Sequence, residues 1–183
     1  MNRNKTGMLI FIGSEAFFFL ALIIAYVYYT HPGGKLDATA QYLDFKKTAV
    51  FTLFLFSSSF TMEMASRRIK QGSRRGMIGW LVLTVILGTV FISGQGMEYS
   101  RLIHQDVTIS RNVFGSSFFT LTGFHGLHVA GGLLLQLMMI GLALGGNFRV
   151  VRSVMFDSVS LYWHFVDAVW VFIFSIVYIG AIV

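Results

Sequence analysis

The sequence predicts an all-α integral membrane protein: five transmembrane helices in one bundle, with the N-terminus cytoplasmic and the C-terminus periplasmic. Three observations predict it. Of 183 residues, 55% are hydrophobic and only 12% are charged, about half the charge of an ordinary soluble domain. So few charges cannot cover a water-facing surface, which makes a membrane the default solvent. Five apolar stretches reach the roughly 20 helical residues that cross a hydrocarbon core of about 30 Å. The 14 Lys and Arg residues gather between those stretches, more of them on one side than on the other. Strands are excluded, because a membrane barrel needs period-two alternation and at least about eight strands.

The first span is expected over about residues 8–29, ending at the breaker His31-Pro32-Gly33-Gly34. It carries Glu15 and has no small-x-small cleavage site, so it reads as a retained span rather than a signal peptide. The second, about 48–66, stops at Arg67-Arg68, and the third runs over about 76–103. The fourth, about 114–145, is longer than the core and must tilt or protrude. The fifth runs over about 155–183. Short loops and no low-complexity tail make residues 1–183 a single domain.

With the N-terminus inside, Arg3, Lys5, Arg67, Arg68, Lys70, Arg74, Arg75, Arg149 and Arg152 face the cytoplasm. Only Lys35, Lys46, Lys47, Arg101 and Arg111 then lie outside, beside Asp37, Asp44 and Asp106. Basic residues favour the inner side, which sets the direction. The compact loops suit a bacterial inner membrane, crossed several times. The net charge of +6 thus serves orientation, and no nucleic-acid partner is implied. The absence of cysteine excludes disulfides, iron–sulfur clusters and thiolate zinc.

Ionisable groups at membrane depth are costly and are therefore functional candidates. They are Glu15, Glu63, Glu98, His125, His128, His164 and Asp167. Depth counted along each span sorts them into two layers. Glu15, Glu63, His164 and Asp167 fall in the inner half, Glu98 and His125 in the outer half, and His128 near the midplane. Glu98 is expected to pair with His125 or His128, and Glu15 with a partner in the inner layer. Glu63 and Arg67, four apart at the interface, read as a local ion pair. In the fifth span Asp157, Ser160, His164, Asp167, Val171 and Phe174 form one stripe, expected to face the interior beside Tyr162, Trp163 and Trp170. Gly115, Gly123, Gly126, Gly131 and Gly132 in the fourth span admit a close helix neighbour.

"FHGLHV" (124–129) places His125 and His128 one turn apart, so they cannot be the two axial ligands of one haem. Three readings remain: ligands in separate or carboxylate-containing metal sites, interhelical hydrogen bonding, or a proton relay. No Glu-x-x-His pair of the di-iron kind occurs. Glu15 reads either as a neutral, hydrogen-bonded carboxyl, because desolvation disfavours charge, or as a lipid-linked or proton-linked group. The basic loop from Arg67 to Arg75 either sets topology or binds anionic lipid heads.

"GSEAFFF" (13–19), "GMEYSRL" (96–102), "FGSSFFTLTGFHGLHV" (114–129) and "YWHFVDAVWVFIF" (162–174) occur in this order along the chain. Together they resemble subunit III of the haem–copper respiratory oxidases (the cytochrome c and quinol oxidase subunit 3 family), in its short, five-helix bacterial form. The resemblance implies an accessory, metal-free subunit of a proton-pumping terminal oxidase in aerobic electron transport. Haem and copper then belong to partner subunits, and phospholipid is the ligand of this chain. Subunit I is the implied main contact, with subunit II and a larger respiratory supercomplex beyond it. The implied roles are stabilising subunit I, supporting proton uptake and giving access to lipid and oxygen.

By motif position, Glu15 matches the family's intramembrane glutamate near a lipid cleft, and Glu98 the glutamate on its fifth helix. His125, His128, Trp163, His164 and Asp167 match its buried polar set. No residue is assigned to catalysis, cofactor or metal. The first two helices of the seven-helix form are missing, so the cleft lacks a wall unless another subunit supplies it. Residues 133–144 hold no arginine, where long-form members can carry a lipid-head ligand. Arg149 or Arg152 at the inner end is the candidate substitute, and Arg67 and Arg68 of the basic loop are further candidate lipid-head contacts. Three alternatives stand beside this reading: a subunit-III-like protein of nitric oxide reductase, a haem- or metal-binding oxidoreductase, and an ion transporter. The transporter is disfavoured by the lack of an inverted repeat.

Overall fold

A computed structural model describes residues 3–30, 43–110 and 113–180. The breaker at residues 31–34, Lys35, Asp37, Arg111 and residues 181–183 lie outside the described residues. Helices α1 (Arg3–Thr30), α2 (Phe45–Lys70), α3 (Arg74–His104) and α4 (Val113–Leu144) follow in order. A single turn, α5 (Phe148–Val150), then opens through a wide π turn (Val151–Met155) into α6 (Phe156–Phe174), which ends in a second π turn (Ser175–Ile179). Five of these segments are long and apolar enough to cross a membrane: Thr6–Thr30, Phe45–Lys70, Arg74–His104, Val113–Leu144 and Phe156–Ile179.

Each helix end has a local cause. Asp44 caps α2 by accepting from the Lys47 backbone N–H, and Ser73 caps α3 by accepting from Gly76 N–H. Gly72, Asp106 and Gly146 stand at positive φ just past α2, α3 and α4. The following residues, Ser73, Val107 and Asn147, donate back to Arg68, Leu102 and Leu142 carbonyls at 2.9–3.0 Å. That is the six-to-one closure of a helix C-terminus, which needs the left-handed backbone that Gly and, less often, Asp adopt. Because Gly72 and Ser73 close one helix and cap the next, α2 and α3 form a tight antiparallel hairpin.

The first three helices run longer than hydropathy alone suggests. The first begins at Arg3 rather than near residue 8, and the second spans Phe45–Lys70 rather than 48–66, because capping and helix propensity carry helices past the apolar core. The last span starts inside a helix that opens at Phe148, upstream of residue 155.

In the bundle, α4 packs on α1, α3 and α6, while α6 also packs on α1 and α2. The centre is a tryptophan slot. Trp163 on α6 is 1% exposed. A Cβ at Gly88 of α3 would lie 3.0 Å from its ring, and one at Gly132 of α4 would lie 2.7 Å away. Two glycines thus admit the indole between three helices, and its Nε1 donates to Ser58 Oγ of α2 at 3.1 Å. Trp170, two turns on, donates to Thr52 Oγ1 at 3.0 Å.

The buried face of α6 is not the polar stripe expected to line it. Phe156, Val159, Tyr162, Trp163, Val166, Val169, Trp170 and Ile173 are buried. Ser160, His164, Asp167 and Phe174 are half-buried, and Asp157 and Val171 are exposed. Aromatic bulk takes the centre and the polar stripe lies along the flank. The most open helix is α1, where Phe17, Leu20, Ile24 and Tyr28 all face outward.

Candidate functional site: the intramembrane polar groups

Glu15 and His128 meet. Glu15 Oε2 lies 3.0 Å from His128 Nε2, joining α1 to α4. The other ring nitrogen, Nδ1, lies 2.8 Å from the Phe124 carbonyl. A carbonyl only accepts, so Nδ1 carries a proton and donates. In a neutral ring Nε2 then accepts, and Glu15 must supply the proton; with a cationic ring, Nε2 donates to a carboxylate. The contact therefore holds one proton in either form. Phe18 and Phe19 pack against the imidazole, with ring centroids at 6.5 and 4.9 Å. Tyr162 OH donates to the His128 backbone carbonyl at 3.0 Å, bringing in α6.

This overturns the expected layering. Glu15 does not pair within an inner layer, and Glu98 pairs with neither histidine. Helix α1 starts at Arg3, so Glu15 lies about 18 Å along a helix of about 42 Å, level with the middle of α4. Glu98, 6% exposed, sits at the far end of α3. It accepts from Arg101 Nη2 at 2.5 Å and from the Asp44 backbone N–H at 3.1 Å. Arg101 Nη1 also approaches Asp44 Oδ2 at 3.9 Å, and Lys47 Nζ lies 3.2 Å from the same oxygen. These four charges fasten the start of α2 to the end of α3.

The Lys47 backbone N–H is the main influence that holds the Asp44 carboxyl below its ordinary range. Burial, the next largest, opposes it, and the Lys47 side-chain hydrogen bond and then the Lys47 and Arg101 charges add smaller lowering effects.

His125 behaves differently from its neighbour. It is 0% exposed, and neither ring nitrogen has a hydrogen-bond partner among the described residues. Its ring stacks on Trp170 at 4.8 Å and meets Phe91 and Phe19 edge-on at 6.0 and 6.4 Å. Its contacts are those of an aromatic ring rather than of a hydrogen-bonding bridge.

On the flank of α6, Ser59 of α2 donates to Asp167 Oδ2 at 2.5 Å, and His164 Nδ1 lies 3.3 Å from Ser59 Oγ. With the hydroxyl proton committed to Asp167, His164 donates and Ser59 accepts. The line opens toward one end of the bundle in a cleft of about 440 Å³ lined by Glu63, Lys70, Asp157 and His164. Glu63 and Arg67 form the expected i,i+4 pair at 3.4 Å, with Arg67 exposed and Glu63 half-buried. Arg68 donates to Gln71 Oε1 at 3.3 Å, and Arg152 to the Lys70 carbonyl at 3.3 Å. Arg149 is exposed.

Several bonding residues escaped the sequence reading. Ser58, Ser59 and Thr52 of α2 accept the α6 donors. Gln95 of α3 donates to the Thr122 carbonyl at 2.7 Å, and Tyr99 and Thr122 hydroxyls meet at 2.7 Å. The run Ser57-Ser58-Ser59 inside an apolar span was the available signal, since hydroxyls there need helix partners. Among the described residues no three His, Asp or Glu side chains cluster as a metal site.

Fold and site together define a five-span helical membrane protein whose intramembrane polar groups mostly bind one helix to another. The family "Cytochrome c oxidase subunit III" matches residues 1–182, and the chain belongs to that family. It is 36% identical to a probable cytochrome c oxidase subunit 3 of Mycobacterium leprae, over 97% of this chain and 88% of the relative. A cytochrome c oxidase subunit 3 of Corynebacterium diphtheriae is 34% identical over the same shares. A probable quinol oxidase subunit 3 of Staphylococcus saprophyticus is 33% identical, over 97% of this chain and 89% of its own length. These names favour an oxidase over a nitric oxide reductase.

Proposed function

We propose that this chain is an accessory, metal-free subunit of a proton-pumping haem–copper terminal oxidase of a bacterial inner membrane. It packs against the metal-bearing subunit I, its main contact, with subunit II and any supercomplex beyond. Haem and copper reside in those partners. The chain prolongs the working life of subunit I, supports proton uptake and offers bound phospholipid and a route for oxygen.

The observation that carries this reading is where the family-like motifs put their polar atoms. Glu15, His128, Trp163, His164 and Asp167 all bond to side chains of other helices in the same bundle. A side chain committed to a neighbouring helix stabilises a scaffold; ligation of a redox metal needs several such groups converging on one point. The one-proton contact between Glu15 and His128 lies in the span that the bundle covers least, which suits a group facing lipid or a neighbouring subunit.

The test compares the complete oxidase with the same complex stripped of this subunit. The initial rate of oxygen consumption should stay within about twofold, since no reacting group is removed, while activity decays sooner during sustained turnover. Immediate loss of oxygen reduction, with the partner's haem spectrum intact, would overturn the accessory role.

A further inference from the structure

The ends of α2 and α3 that hold Glu98 also enclose a groove of about 440 Å³. Its wall is apolar, formed by Val50, Phe51 and Met97, and its rim carries Lys46, Lys47 and Arg101. Val50 and Met97 are 52% and 58% exposed, so the wall opens sideways from the bundle. The floor depends on a glycine. A Cβ at Gly94 would fall 2.3 Å from the Phe51 ring, so only glycine lets that ring lie flat against α3 and leaves the space above it free.

The level of the groove follows from helix lengths. At 31 residues, α3 is about 46 Å long against a core of about 30 Å. Arg101, in its last turn, and Lys46, in the first turn of α2, therefore stand at headgroup level with the apolar wall below them in the hydrocarbon. Charge completes the fit. Arg101 binds Glu98, and Lys47 binds Asp44, while Lys46 has no ion-pair partner among the described residues. Three cations against two carboxylates leave one positive charge at the rim.

We propose that this groove is a binding site for one anionic phospholipid, its phosphodiester on Lys46, Lys47 and Arg101 and an acyl chain along Val50, Phe51 and Met97. It lies on the outer side of the α2–α3 hairpin, away from the Glu15–His128 contact between α1 and α4. It is also at the opposite end of that hairpin from Arg67 and Arg68. A free phosphate compound would use the rim but leave the apolar wall in contact with nothing it could recognise.

Native mass spectrometry of the purified full-length chain, titrated with phosphatidylglycerol or with phosphatidylcholine of the same acyl chains, tests it. Phosphatidylglycerol should be retained in preference. Lys46→Gln should weaken retention about fivefold, the effect of one lysine at a lipid surface. Met97→Trp, which fills the groove without changing charge or the interior, should weaken it as well. Equal retention of the two lipids overturns the proposal, as does phosphatidylglycerol binding that Met97→Trp leaves unchanged. Competition by soluble glycerol phosphate at the same concentration as the lipid would overturn it too, by showing a small-anion site.

Discussion

His125 and His128 stand one turn apart on α4 and do different work. His128 is a hydrogen-bonding bridge between α1 and α4, whereas His125 is an aromatic filler against Trp170. The difference predicts how Glu15 and His128 respond to substitution. Glu15→Gln keeps a donor, since its amide N–H bonds Nε2 of the neutral ring, but it removes the proton the pair shares. Unfolding in a sodium dodecyl sulfate titration should then change by less than about 1 kcal/mol, the scale of a membrane hydrogen bond. In the assembled oxidase, the initial rate should stay near normal while longevity during turnover or lipid retention falls. His128→Leu instead strands the carboxyl among phenylalanines and should cost about 1–3 kcal/mol, with weaker retention in the complex. An unfolding curve for His128→Leu that matches the wild type would show that the pair is not structural.

At the scale of elements, the clearest dependence on conditions lies at the Asp44 cap. In the folded chain the Asp44 carboxylate accepts the Lys47 N–H at 3.1 Å beside two cations, and it titrates below the ordinary 3.8. A folded value below the unfolded one means the contribution is complete above that ordinary value and fades as pH falls below it. Asp44→Ala should therefore destabilise by about 1 kcal/mol at neutral pH, the usual value of a helix cap. The gap between wild type and variant should close as pH drops below 3.8. A gap that persists in acid would mean the cap acts without its charge.

The elements themselves were legible in the sequence, because about 20 apolar residues have few alternatives in a bilayer. Their contacts were less so. Counting depth from the first apolar residue misplaced Glu15, since α1 begins at Arg3, and it turned a contact at the level of His128 into two separate layers. The polar stripe on α6 likewise suggests an inner face, but the packing gives that face to aromatic residues. The true inner face was encoded by size: Trp163 fits because Gly88 and Gly132 are both small, a complementarity spread over three helices that no single stretch reveals.

For the whole molecule, direction in the membrane is the property that follows from charge rather than from contacts. Read from the sequence, five spans put nine basic residues on one side of the membrane and five on the other, and the short loop joining α2 to α3 accounts for the excess with its flanking turns. Because the chain has no cysteine, single introduced thiols report the two sides without background. Gln105→Cys, exposed just past α3, should react with a membrane-impermeant maleimide in intact spheroplasts. Gln71→Cys, exposed at the other end of the hairpin, should react only after lysis. Replacing Arg67, Arg68, Arg74 and Arg75 with glutamine leaves five basic residues on each side, so the bias that sets orientation disappears. Both thiols should then label partially in intact spheroplasts. If labelling of the two sides is reversed in the unaltered charge background, the N-terminus faces the periplasm. If the fourfold variant keeps a single direction, some other feature, such as assembly with the partner subunits, sets it.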